Sequence, residues 1–102
     1  MTIQSTLRPI NSHEVSVSGT AAENATAFKN SDISVFCATA CFVKLGSDDT
    51  VTATSTAGTG YDIYVPANQR TDIRTGGAPY VSIILASGTD TAYVNEWTKD
   101  AL

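Results

Sequence analysis

The sequence predicts an all-β protein: one sandwich of seven or eight short strands, with a jelly roll as one way to build it. Three observations lead there. Thr and Ser supply 25 of 102 residues, 15 of them Thr, and a β-branched side chain suits a pleated, half-solvated surface. Straight-chain helix formers are scarce, with four Leu, three Glu and three Lys. Short alternating apolar runs recur at a spacing of about 8 to 12 residues, separated by turn residues, as in sandwiches and barrels. The length fits one domain. Two regions are expected within it, an extended N-terminal arm over residues 1–13 and the sandwich over residues 14–102.

The arm segment has no period. Pro9 biases Arg8 toward an extended backbone, and Ile3, Leu7 and Ile10 are apolar beads along it; a frayed terminus is the alternative. Residues 14–18 alternate, with Val15 and Val17 on one face. The stretch GTAAENATAFK over residues 19–29 reads as a loop or irregular edge strand anchored by Phe28. Residues 32–38 put Ile33, Val35 and Cys37 on one face, and residues 41–45 do the same with Cys41, Val43 and Leu45. Thr39 and Ala40 between them suggest a tight hairpin or a bulged strand. Residues 46–49 are turn chemistry, 50–54 a weak Thr-rich edge strand, and 55–60 (STAGTG) a flexible loop.

Residues 61–65 point Tyr61, Ile63 and Val65 inward, and the turn Pro66-Ala67-Asn68-Gln69 returns the chain into a strand over 70–75 with Thr71 and Ile73 inward. Residues 80–86 (YVSIILA) form the strongest strand, with Val81, Ile83 and Leu85 on one face and Ile84 on the other. So continuous a run implies a central strand covered on both sides, by this chain or by a partner. After the turn SGTD, residues 91–98 place Tyr93, Asn95 and Trp97 on one face and Ala92 and Val94 on the other, and 99–102 are a tail.

The chemistry of the chain argues against several functions. A formal charge of −4 and six scattered basic residues do not make the basic stripe a nucleic-acid binder needs. No apolar run approaches the about 20 residues that span a bilayer, and the first ten residues lack the apolar core of a signal peptide. The one histidine, His13, falls in the arm, a poor platform for a nucleophile–base pair. Asp48 and Asp49 are neighbours in a solvated turn. Cys37 and Cys41 lack the further ligands zinc requires and read as reduced, buried thiols, with a disulfide across a short hairpin as the alternative. The Gly-rich segments precede no helix that would cradle phosphate. No enzyme activity, cofactor or metal is therefore expected. Tyr64 and Trp97 point by parity toward an interface or a saccharide platform. The apolar strand faces exceed what one small core needs, so a protein partner is expected.

The order of segments resembles that of capsid decoration (cement) proteins of tailed bacteriophages. The resemblance spans about residues 14–98 and rests on VSVSGTAAENATAF, DISVFCATACFVKLGS, TVTATSTAGTG, YDIYVPANQRTDIRT and YVSIILASGTDTAYVNEW taken in order. The first 13 residues and the 73–77 turn do not clearly match. Head fibres and tail accessory proteins share the layout. The resemblance implies a β-sandwich made in the host cytoplasm that binds the outside of a capsid and stabilises it, with the major capsid protein as partner. Self-association, most simply as a trimer, fits the surplus apolar faces and shell symmetry. The residues expected to touch partners are Ile3, Leu7, Arg8, Ile10, Tyr64, Arg70, Arg74 and Trp97, with solvated charge as the alternative for the three arginines. A carbohydrate- or receptor-binding virion part is the competing function.

Overall fold

A computed structural model describes residues 6–100, with side chains described from 9 to 98. It contains eight strands: β1 (Thr6–Ser18), β2 (Ala22–Glu23), β3 (Asp32–Phe36), β4 (Cys41–Gly46), β5 (Ile63–Val65), β6 (Thr71–Arg74), β7 (Tyr80–Leu85) and β8 (Thr89–Asp100). They form two antiparallel four-stranded sheets, in the orders β1-β8-β3-β6 and β2-β7-β4-β5. The all-β, single-domain, sandwich-like fold expected from composition is what the chain adopts.

The core is made by the alternating residues the sequence points to. Val15, Val17, Ile33, Val35, Ile73, Ala92 and Val94 come from the first sheet, and Cys41, Val43, Val65, Val81, Ile83 and Leu85 from the second; all are buried. Each strand contributes one face because its side chains alternate, and the β-branched residues are the ones a pleated surface packs best. Phe28 closes the core at one end, anchored by its amide on the Pro79 carbonyl at 2.9 Å.

Connectivity differs from the sequence reading in three places. Residues 37–40 do not close a hairpin: β3 and β4 lie in different sheets, and the segment carries the chain between them. Residues 66–70 do the same between β5 and β6, and β6 pairs with β3 instead of turning back on β5. The 66–69 turn itself forms, with Asn68 at φ 60°, a left-handed conformation that Asn tolerates better than other non-glycine residues. The Thr-rich segment 50–54 is not a strand. It belongs to a long connection over 47–62 that folds back over the second sheet. There Ala53 is buried, its amide donating to Ser82 Oγ on β7 at 2.8 Å.

That loop is pinned. The Thr54 amide donates to the Gly60 carbonyl and the Gly60 amide to the Thr56 carbonyl. A Cβ at Gly60 would collide with Thr54 and Thr56. Part of the second face of β7 is thus covered by this chain's own loop, which reduces the apolar surplus expected for a partner.

Strand β1 runs without a break through the expected arm–sandwich boundary at 13/14. It pairs with β8 from Thr6↔Asp100 to Ser18↔Thr89, with one irregularity between Pro9 and Asn11. The segment 6–13 is extended, as expected, but it is one half of a two-stranded ribbon. The expected tail is shorter too, since β8 continues to Asp100.

Candidate docking surface

The two poles of the sandwich differ in chemistry. Four connections meet at the pole where β3 ends and β4 begins: residues 19–21 (GTA), 37–40 (CATA), 66–70 (PANQR) and 86–88 (ASG). Arg70 is the one charged residue among them, and Asp90, next to the last, accepts from Thr39 Oγ1 at 2.7 Å. Two of them are tied together, as the Asn68 amide donates to the Cys37 carbonyl at 2.9 Å. The connections at the other pole carry Lys29, Asp48, Asp49 and Asp62.

Beside the charge-poor pole, each sheet bears an aromatic row on its outer face. On the first sheet the register aligns Glu14, Tyr93 and Phe36 across β1, β8 and β3. Tyr93 is 50% exposed and Phe36 37%. On the second sheet Ile84, Phe42 and Tyr64 align across β7, β4 and β5. Phe42 packs against Tyr61 and Tyr64, with ring centroids 4.8 and 5.4 Å apart, and Tyr64 is 49% exposed. Large exposed aromatics next to connections with few charges are the composition that buried interface centres favour, because little charge has to leave water.

The expected partner residues fall into separate places. Ile3 lies outside the described residues, as do the side chains of Leu7 and Arg8. Ile10, 39% exposed, sits at the irregularity of β1. Tyr64 belongs to the aromatic row of the second sheet. Trp97, Arg70 and Arg74 come together on the outer face of the first sheet. There the Arg70 guanidinium carbon lies 4.4 Å from the Trp97 ring centroid, and Trp97 Nε1 donates to Ser34 Oγ at 2.8 Å. Arg70 pairs with Asp72 at 2.9 Å and Arg74 with Asp32 at 3.3 Å. These exposed pairs contribute little to stability. They border an open hollow of about 200 Å³ lined by Asp32, Ile33, Asp72, Ile73, Arg74 and Trp97. The sequence reading missed Phe36, Phe42 and Tyr93 as surface anchors. Parity places Phe36 and Phe42 opposite their buried neighbours, which is the signal that would have found them.

The most tightly built polar cluster lies inside the protein. Glu96 is fully buried on β8. Its Oε2 accepts from His13 Nε2 at 2.7 Å and Asn11 Nδ2 at 3.1 Å. Its Oε1 accepts from the Lys29 amide at 2.7 Å and the Asn30 amide at 3.1 Å. Burial pushes the carboxyl pKa up, but hydrogen bonds from His13, Lys29, Asn30 and Asn11 outweigh it and hold the group below its ordinary range. His13 is thus on a paired strand, edge-on to Phe28 at 5.0 Å, with its one close acid already saturated by donors. Among the described residues, no three His, Cys, Asp or Glu side chains cluster to hold a metal. No protein-family model, curated protein or solved structure matches the chain.

Proposed function

We propose that this chain is a structural protein that docks by its charge-poor pole on another polypeptide surface, and that this surface is the outside of a bacteriophage capsid, which it stabilises. One observation carries the docking part: four connections holding a single charged residue, flanked by aromatic rows on both sheets. The capsid part rests on the order of segments described above. The pairing plan adds support, because strand 1 pairs with 8, 2 with 7, 3 with 6 and 4 with 5. That is an antiparallel ribbon folded over itself, and we read it as a jelly roll, an architecture common in viral capsid proteins.

The mechanism is mechanical. A copy seated across a joint between shell subunits buries Tyr64, Phe42, Tyr93 and Phe36 and couples subunits that would otherwise separate. Repetition over a symmetric shell multiplies modest contacts. Copies of the chain associate with one another, most simply as a trimer about a shell axis. No catalytic step is assigned to it.

The test is co-sedimentation of the purified chain with shells assembled from a bacteriophage major capsid protein. Stoichiometric binding and shells that resist heat are expected; a chain that stays in the supernatant overturns the proposal. The second reading, saccharide binding by a virion part, is favoured by the hollow beside Trp97. It requires saccharide-dependent quenching of the fluorescence of Trp97, the single tryptophan, whereas decoration requires none.

A further inference from the structure

The Glu96 cage surrounds its carboxylate with donors alone. His13 Nε2 and Asn11 Nδ2 face one oxygen; the backbone amides of Lys29 and Asn30 face the other, with Asn30 Nδ2 at 3.5 Å. A protonated carboxyl must donate from one of its oxygens. On Oε2 that proton would meet the Asn11 amide group and His13 Nε2. On Oε1 it would meet two backbone N–H groups. Neither oxygen can carry a proton without setting donor against donor in a site closed to water, where an unmade hydrogen bond is most costly.

The segments that supply these donors have few other ties. Pro9, Ile10, Asn11 and Ser12 are all exposed, so little apolar burial holds residues 9–12. The first half of β1 pairs with β8 alone, because β1 is an edge strand. Residues 28–31 are otherwise held by Phe28 in the core, its amide on the Pro79 carbonyl, and the Thr75 amide on the Ser31 carbonyl. The second half of β1 is different, with Val15 and Val17 buried in the core.

We propose that the Glu96 cage is an acid-operated lock: protonating the carboxylate frees residues 6–13 and the 29–31 turn from β8 while the rest of the sandwich stays folded. His13 is the one other titratable side chain that reaches the carboxylate among the described residues. Lys29 contributes only its backbone N–H, its side chain being exposed, and the β3 residue in register with Glu96 is Ile33. Raising the pH does not open the lock. Neutral imidazole protonated at Nε2 still donates, and the other four donors do not titrate. This inference does not depend on the capsid reading.

The sign follows from the carboxylate. A group whose folded pKa lies below its ordinary 4.5 contributes stability that is fully present above that value and is lost as pH falls through the folded pKa. Amide hydrogen exchange, corrected for intrinsic rates and followed by mass spectrometry, reads it. From neutral pH to about pH 3, protection in residues 9–13 and 29–31 should fall about tenfold or more while residues 80–85 remain protected. Glu96→Gln should show the same local loss already at neutral pH, because its amide nitrogen is a donor. Loss of protection in all segments together, retention of protection in residues 9–13 down to the acid pH at which residues 80–85 also lose theirs, or an unchanged Glu96→Gln protein would each overturn the lock. The wild-type pH series decides the matter even where the variant does not fold.

Discussion

Cys37 and Cys41 are four positions apart, yet one follows a strand of the first sheet and the other begins a strand of the second. Both thiols are free and buried. Burial pushes both pKa values up, that of Cys41 to about 12, so neither offers thiolate near neutral pH. Iodoacetamide at about pH 8 should leave the folded protein unlabelled and label both sites in denaturant. A mass lower by two hydrogens without reductant would contradict this. Glu96 shows what residue-level reading can and cannot reach. Ala92 and Val94 were legible as inward by alternation, and continuing the same parity one step puts Glu96 inward as well. Its partners were not legible. Asn11, His13, Lys29 and Asn30 are distant in sequence and converge only through strand pairing and the 24–31 turn.

Alternation tells which face of a strand is buried, not which strand lies beside it. That is why the inward sets of β3, β4, β7 and β8 were readable, while the hairpins expected at 37–41 and 65–70 were not: a short link that crosses between sheets has the same turn residues as one that returns. The 47–62 loop was misread for a related reason. Thr-rich sequence favours strands, but Ser82 Oγ and the close packing at Gly60 capture the segment as a pinned cover. Gly60→Ala should therefore destabilise the fold by about 1–3 kcal/mol by overpacking, measured by urea unfolding; an unchanged midpoint would mean that the loop is not held as described. Ile83→Ala, fully buried on β7, should cost about 2–5 kcal/mol. Removing residues 1–12 deletes six of the twelve β1–β8 register pairs and the Asn11 bond to Glu96. The truncated chain should melt at a lower temperature than the intact one, and an equal melting temperature would contradict the role given to the ribbon.

At the scale of the molecule the notable property is polarity. One end is poor in charge, with Arg70 and Asp90 in or beside its connections, and is ringed by aromatics; the other carries the loop charges and the start of β1. These connections were visible as turns or loops in the sequence, but their gathering at one pole depends on strand order, which the sequence did not reveal. The central claim is that this pole is a docking surface for protein. Tyr64 and Tyr93 are each about half exposed, so replacing both with Ser should change unfolding free energy by no more than about 1 kcal/mol. The same replacement at interface anchors should weaken shell binding by about 2 kcal/mol or more, roughly thirtyfold. The most direct measurement is therefore a binding titration of wild type and the Tyr64→Ser/Tyr93→Ser protein on shells, with both folds checked by urea unfolding. The account predicts a large loss of binding at nearly unchanged stability. A double variant that binds shells as tightly as wild type would contradict it.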